Sequence, residues 1–231
     1  MATTTRVGMV LYDGCTLLDF AGATQVFAFA PGFEVVWLAP ELRPITTTEN
    51  VQVLPHCTFD DAGALDILFV PGGGDEVGTV MQESVYVDFV RTAGGQAKMA
   101  GSICTGAFIV AAAGLFDGYE VSTYWSQREN LALFPNLRVS AGYPRWVIHG
   151  NRFSGGGISS SIDMALEIVN MISGPTQSMT TQLSIQYAPD PPFQSGDPAQ
   201  APAAVTAAVL KSQESFTAAI KAGVEAVLGD D

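Results

Sequence analysis

Charged residues are scarce in this 231-residue chain, and most of them are negative. They make up 14% of the sequence, against about 25% in a typical globular domain. Asp and Glu number 23 against 10 Lys and Arg, a formal net charge of −13. Because surfaces that bind phosphates are basic, this balance argues against nucleic acid and anionic membranes as partners. We therefore expect a small neutral organic substrate.

Cysteine and histidine are also few. The three cysteines, Cys15, Cys57 and Cys104, are odd in number and form no CxxC pair, which is typical of a reduced cytosolic protein. The two histidines, His56 and His149, lie in a predicted loop and a predicted turn, which disfavours a cysteine–histidine protease. No metal-ligand cluster and no glycine-rich nucleotide motif occurs, so we expect neither metal nor cofactor.

Long apolar runs are missing as well. The N-terminus lacks the pattern of a signal peptide, and no run approaches the ~18 residues that a membrane span needs. We expect a cytoplasmic protein with a domain over residues 1–188. Residues 189–231 are expected to form a Pro-rich break and a helical appendage packed on the domain or a dimer partner. The low charge indicates surface shared with a second copy, so a homodimer is expected.

What the chain has is an alternation of apolar strand-like runs with helical runs. Strands are predicted over residues 7–11, 33–39, 66–70 and 99–103, with helices between them. The helix over 76–93 is expected to break near Glu83, and an alanine-rich helix over 203–228 closes the chain. This alternation predicts an α/β fold with a mostly parallel sheet.

Cys104 lies where the strand of residues 99–103 meets the helix predicted over residues 105–113. A residue at such a turn is pushed out of the sheet top, which is the geometry of a nucleophile elbow. The positive end of the helix dipole favours the thiolate there, so we expect a lowered thiol pKa and faster alkylation than at the other two cysteines. A buried structural cysteine is an equally good interpretation of these residues alone.

Two further features follow strands that should be neighbours. Asp19 comes after the first strand, and Gly72–Gly74 follow the apolar strand 66–70. Ligands gather at the carboxyl ends of parallel strands, so these residues are expected to meet Cys104 there. Asp19 could be a general acid or base whose pKa is raised by apolar neighbours, or simply a first-turn carboxylate. The glycines could expose N–H groups to an anion, or only allow a turn.

The motifs together resemble the ThiJ/PfpI superfamily of the class I glutamine-amidotransferase-like fold. The segments that carry the resemblance are LDFAG (18–22), DILFVPGGG (66–74), SICTG (102–106), GLFDG (114–118), STYW (122–125) and SGGGISSSIDMAL (154–166). The segment over residues 182–203 is similar to the tail of the isonitrile hydratases.

The resemblance implies a flavodoxin-like three-layer sandwich, with a mostly parallel central sheet and helices on both faces, assembled as a homodimer. It implies Cys104 as the nucleophile and Asp19 as the carboxylate that addresses the cysteine or the substrate. Gly72, Gly73 and Thr105 would bind substrate or a developing anion through backbone N–H groups. The implied reaction is that of a hydro-lyase, which adds water to an isonitrile to give an N-substituted formamide.

One position departs from the superfamily pattern. Many members have histidine where this chain has Tyr124, and a phenol is not a base at neutral pH. Tyr124 is therefore expected to be a hydrogen-bonding or steric wall of the substrate pocket. Two alternatives stay open: another cysteine-dependent enzyme of glyoxalase or amidase type, and a domain that senses a ligand or oxidation without catalysis.

Overall fold

Strands and helices alternate along the chain in the computed structural model, which describes residues 4–229. The strands are β1 (Thr5–Val10), β2 (Phe33–Ala39), β3 (Ile45–Thr46), β4 (Gln52–Val53), β5 (Cys57–Thr58), β6 (Ile67–Val70), β7 (Met99–Ser102), β8 (Glu120–Val121), β9 (Arg138–Val139), β10 (Trp146–His149) and β11 (Arg152–Gly155). The helices are α1 (Leu17–Ala28), α2 (Val77–Val80), α3 (Ser84–Gln96), α4 (Gly106–Ala112), α5 (Arg128–Leu131), α6 (Ser160–Ser173), α7 (Pro175–Ser184), α8 (Ala203–Ser212) and α9 (Glu214–Gly229), with a 3₁₀ turn at Trp125–Gln127.

Seven strands form the central sheet, in the order β10-β11-β7-β6-β1-β2-β5. All neighbours are parallel except the edge pair β10 and β11. The chain leaves β1 toward β2 and later returns to β6 on the other side of β1. The sheet therefore has a topological switch point between β1 and β6, the position where open parallel sheets bind ligands.

The helices pack in two groups, α1 with α6 and α3 with α4. Helix α1 also contacts β2, whereas α3 and α4 contact β6 and β7. The predicted flavodoxin-like α/β sandwich with a mostly parallel sheet is confirmed. So is the break near Glu83, because α2 ends at Val80 and α3 begins at Ser84.

Strand β6 lies in the interior of the sandwich. Its four residues, Ile67, Leu68, Phe69 and Val70, are all fully buried. A strand covered on both faces must be apolar throughout, which explains the continuous apolar run in the sequence. Truncation of Leu68 to alanine would cost about 2–5 kcal/mol of unfolding free energy.

The C-terminal helices differ from the single helix expected over residues 203–228. The chain breaks at Gln213 between α8 and α9, and α9 packs against α2, α5 and the 3₁₀ turn. The break has a physical reason: the Gln213 side chain is hydrogen-bonded to Tyr124 and Ser126, which draws this position toward the sheet top. Within residues 4–229, none of the helices combines the length and apolar character that a bilayer span requires.

Candidate active site

The carboxyl ends of β1, β6 and β7 bring the predicted site residues together. These three strands are neighbours in the sheet. Asp19 lies in the first turn of α1, Gly72 follows β6, and Cys104 follows β7. The sequence-based expectation that these residues meet at one edge of the sheet agrees with this placement, which is also the topological switch point.

Cys104 adopts a left-handed backbone conformation with φ of 54°. This is a rare conformation for a residue with a side chain, and it is held by two hydrogen bonds. The N–H of Cys104 donates to the carbonyl of Gly155 at 3.2 Å, and its carbonyl accepts from the Thr123 hydroxyl at 2.8 Å. The sharp strand-to-helix turn expected at this cysteine is therefore present. The two hydrogen bonds hold its strained backbone in place.

Asp19 is completely buried. Its Oδ2 atom accepts a hydrogen bond of 2.7 Å from the N–H of Gly72. Its Oδ1 atom has no partner within residues 4–229. Burial raises the pKa of Asp19 well above the usual range, the Gly72 N–H opposes this, and the charge of Glu49 adds to it. Burial therefore favours the protonated form of Asp19, with one oxygen anchored by Gly72 and the other without a protein partner in this range.

The expectation of a lowered thiol pKa at Cys104 is wrong. Burial raises the pKa of Cys104, and the negative charge of Asp19 raises it further. The N–H and the hydroxyl of Thr105 lower it, but they do not outweigh burial. The side chain is only 6% exposed, and α4 spans only Gly106–Ala112, so desolvation of a thiolate dominates the field of the helix terminus.

Gly72 fits between the acid and the cysteine. A Cβ atom at this position would lie 2.7 Å from the Thr105 nitrogen and 2.8 Å from the Cys104 Cβ atom, so only glycine allows this approach. Its N–H is engaged by Asp19, and the N–H of Gly73 donates to the Thr105 hydroxyl at 3.0 Å. The role of Gly72, Gly73 and Thr105 as donors to substrate stays a prediction.

A cavity of about 310 Å³ opens above the cysteine. The residues that line it are Thr16, Thr48, Gly73, Gly74, Asp75, Cys104, Tyr124, Ile158, Gln213 and Phe216. Tyr124 forms part of the wall, as its expected role requires, and its hydroxyl accepts a hydrogen bond of 2.9 Å from the Gln213 amide.

Sequence reasoning missed Gln213 and Phe216, which come from the C-terminal helices. They lie far from the motifs along the chain, and an alanine-rich helix carries no chemical signature. The polar run at residues 211–215 within that helix is a weak signal of a break. Only the packing of α9 against α2 and α5 brings these two residues over Cys104.

The two histidines do not line this cavity. The Nδ1 atom of His56 accepts from the Trp37 N–H at 3.0 Å, and the Nδ1 atom of His149 accepts from the Glu120 N–H at 2.8 Å. Both rings therefore satisfy backbone donors at a distance from the cysteine. In the described part of the chain, no cluster of three or more His, Cys, Asp or Glu side chains is placed to hold a metal ion.

The α/β sandwich with a cysteine at a strand-to-helix turn defines a class of flavodoxin-like proteins. The chain belongs to the DJ-1/PfpI family, whose sequence profile matches residues 5–171. It is 37% identical over 200 residues to the isonitrile hydratase of Pseudomonas putida, an alignment that covers 87% of this chain and 86% of that protein.

Two other relatives share this fold or part of this sequence. A crystal structure of a ThiJ/PfpI family protein from Pseudomonas syringae superposes with a TM-score of 0.91 at 31% identity, covering 96% of this chain and 90% of that one. The transcriptional regulator GbdR of Pseudomonas aeruginosa is 32% identical over 176 residues, which are 73% of this chain but 47% of the regulator.

Proposed function

We propose that this protein adds water to an isonitrile to give an N-substituted formamide, which makes it a hydro-lyase with a cysteine nucleophile. The observation that carries the proposal is the pair formed by Cys104 and the fully buried Asp19 on either side of Gly72, where burial favours the protonated form of the acid. The terminal carbon of an isonitrile must gain both a nucleophile and a proton, and this pair supplies one of each.

In the first half of the reaction, Cys104 adds to the isonitrile carbon. The carbon–sulfur bond forms, Asp19 delivers its proton to the same carbon, and the acid recovers the proton that the thiol releases. The product is a thioimidate on Cys104, and no net proton enters or leaves the site. A neutral thiol beside a neutral acid is therefore a competent starting state, consistent with the raised pKa values of both groups.

In the second half, water adds to the thioimidate carbon while Asp19 relays a proton from that water to the nitrogen. The carbon–sulfur bond then breaks, the sulfur recovers a proton, and the formamide leaves. The sum is one isonitrile and one water converted to one formamide, with Cys104 and Asp19 restored. Every proton moves between groups already in the site, so the mechanism needs no metal or organic cofactor.

The cavity suits a small neutral substrate of this kind. Ile158, Phe216 and the ring of Tyr124 give it apolar walls above the sulfur. Its volume of about 310 Å³ accommodates a short alkyl or aryl isonitrile. The relative from Pseudomonas putida, named as an isonitrile hydratase, supports the same reaction.

The test is formamide release from a simple isonitrile, with cyclohexyl isonitrile as the substrate. We expect turnover by the wild type and none by Cys104→Ala, with trapping of a thioimidate mass on Cys104 at early times. Cys57→Ala is the matched control and should keep full activity, because Cys57 lies in the edge strand β5. Equal hydration by Cys104→Ala would contradict the proposal.

A second candidate is a ligand-sensing domain without turnover, which the similarity to GbdR favours. In that case an isonitrile or another small electrophile would bind the cavity or label Cys104 without formamide appearing. Methylglyoxal and a simple amide serve as substrates for the glyoxalase and amidase alternatives, which Tyr124 in place of histidine disfavours. Turnover of either, without hydration of the isonitrile, would reassign the enzyme.

A further inference from the structure

A directional chain of hydrogen bonds runs from α9 to the cavity wall, and the chemistry of the acceptors fixes the orientation of its first two amides. The Nδ2 atom of Asn130 donates to the backbone carbonyl of Thr217 at 3.1 Å. A carbonyl oxygen only accepts, so the Asn130 amide nitrogen is identified by chemistry. The same nitrogen donates to Oε1 of Gln127 at 3.0 Å, which leaves the Gln127 amide nitrogen as the next donor.

The structure gives the remaining steps. The Nε2 atom of Gln127 donates to the hydroxyls of Thr217, at 2.8 Å, and Ser126, at 3.1 Å. The Ser126 hydroxyl, which accepts from Gln127, donates in turn to Oε1 of Gln213 at 2.9 Å in the structure. The Gln213 nitrogen then donates to the Tyr124 hydroxyl at 2.9 Å.

We propose that this chain makes the Tyr124 hydroxyl a hydrogen-bond donor into the cavity, with Gln213 as the residue that positions its proton. Tyr124 accepts from Gln213, so its own proton must be given to something else. Within residues 4–229 it has no acceptor, and Tyr124 lines the cavity with Cys104. Solvent can accept that proton while the cavity is empty, and an atom of the bound molecule accepts it when the cavity is occupied.

The chemistry of that acceptor rests on the proposed function. The nitrogen of an isonitrile has no free lone pair, because its electrons are shared with the terminal carbon. Once sulfur has added, the thioimidate nitrogen has a basic lone pair that can accept from a phenol. Tyr124 would thus stabilise the state that forms after attack rather than the bound substrate, which raises kcat and leaves KM unchanged.

Two residues of this hydrogen-bond chain are buried, which indicates that the hydrogen-bond chain is a stable part of the fold. Gln127 is fully buried and Asn130 is 8% exposed. A buried amide without partners costs about 1–3 kcal/mol, so such side chains are retained only where their hydrogen bonds are satisfied. Here the amide nitrogens of both residues make two hydrogen bonds each. The last link is made at Gln213, where the polypeptide breaks between α8 and α9.

The experiment compares the rates at which two reagents, acrylamide and iodomethane, modify Cys104. When a thiolate adds to acrylamide, the sulfur bonds to the terminal carbon and charge moves to the carbonyl oxygen, which can accept from Tyr124; the α-carbon later takes a proton. When it displaces iodide from iodomethane, no oxygen acceptor forms. Both rates are proportional to the fraction of Cys104 in the thiolate form, so their ratio does not depend on that fraction. The ratio therefore reports the hydrogen bond that Tyr124 donates. Cys57 in the same molecule is the internal reference.

Two variants test the chain, with a third as control. Tyr124→Phe removes the donor, and Gln213→Glu supplies an acceptor that takes the Tyr124 proton for itself. Both should lower the acrylamide-to-iodomethane ratio at Cys104 by about three- to ten-fold, the effect of one hydrogen bond. Both should lower kcat for isonitrile hydration by a similar factor with KM unchanged. Gln96→Glu, on the exposed end of α3, should change neither.

Each result decides a specific point. An unchanged ratio in Tyr124→Phe would contradict the donor role of Tyr124. A change in Tyr124→Phe but not in Gln213→Glu would contradict the positioning role of Gln213. Failure of both reagents to reach Cys104 in the wild type also overturns the proposal, because the cavity would then admit no small electrophile. If the ratio changes as expected but the wild type hydrates no isonitrile, the proposed function is wrong. Tyr124 would then still be a hydrogen-bond donor, acting on a different bound molecule.

Discussion

Gly78 of α2 and Gly223 of α9 lie in backbone contact. A Cβ atom added at Gly223 would lie 2.4 Å from the Gly78 carbonyl oxygen, and one at Gly78 would lie 2.6 Å from the carbonyl of Ala219. Since α9 carries Phe216 and follows Gln213, this close crossing positions the C-terminal part of the cavity wall. The integrity of the site therefore depends on a packing contact made by two glycines.

We predict that Gly223→Ala displaces α9 and opens the cavity. The added methyl cannot be accommodated beside backbone atoms, so the free energy of unfolding should fall by about 1–3 kcal/mol. Urea denaturation measures the stability, and KM for the isonitrile reports the cavity. Gly95→Ala in α3 is the control, because a Cβ there meets nothing within 4 Å. Equal behaviour of the two variants would show that the crossing does not require glycine.

Asp19→Asn should abolish most turnover while leaving the fold intact. The amide keeps the shape of the acid and its bond to Gly72, but it cannot deliver a proton. For the wild type we also expect activity to fall on the alkaline side, where Asp19 ionises. Formamide release as a function of pH measures both, with the exposed carboxylate variant Asp60→Asn as control. Retained turnover in Asp19→Asn would remove the acid from the mechanism.

The stability of the wild type relative to Asp19→Asn should depend on pH in a defined direction. The pKa of Asp19 is raised in the folded protein, so folding takes up a proton once the unfolded chain has lost it. The stability due to this group is full below about pH 4 and falls as pH rises, by up to ~1.4 kcal/mol per unit, until the folded pKa is passed. Urea denaturation from pH 4.5 to 8 should show Asp19→Asn gaining on the wild type.

Cys104 should react slowly near neutral pH and faster as pH rises, because burial and Asp19 raise its pKa. Asp19→Asn should increase the rate at alkaline pH by removing that negative charge. Cys15 is fully buried with a pKa raised to about 12, and it should stay unlabelled in the folded protein. Mass-spectrometric mapping of iodoacetamide labelling follows each cysteine. A rate at Cys104 that is already maximal below pH 7 would indicate a low-pKa thiolate.

A homodimer stays a prediction, and the exposed apolar residues of α6 and α7 are its candidate surface. Ile172, Met179 and Leu183 are exposed there, and Leu183 is 80% exposed. Such side chains in water favour burial against a second copy. Light scattering at micromolar concentration should give a dimer for the wild type and a monomer for Leu183→Glu. A monomeric wild type would contradict this.

Much of the framework could be predicted from the order of residues alone. The apolar run of β6 predicted a strand covered on both faces, and the turn at Cys104 was predicted from the change between a strand-like and a helix-like run. The expectation that Asp19, Gly72 and Cys104 would meet followed from the rule that parallel strands end at the same edge. Local patterns are sufficient here because they reflect burial along a single element.

The pKa of Cys104 and the residues that complete the cavity were decided by tertiary structure. Desolvation depends on everything packed around an atom, so the field of the α4 terminus, which the sequence does reveal, predicted the wrong direction for the Cys104 pKa. The break at Gln213 and the approach of Phe216 likewise depend on where α9 crosses α2, a contact between segments distant along the chain. Such contacts leave no periodic trace in the sequence, and they determine which side chains complete the cavity and which way Tyr124 directs its proton.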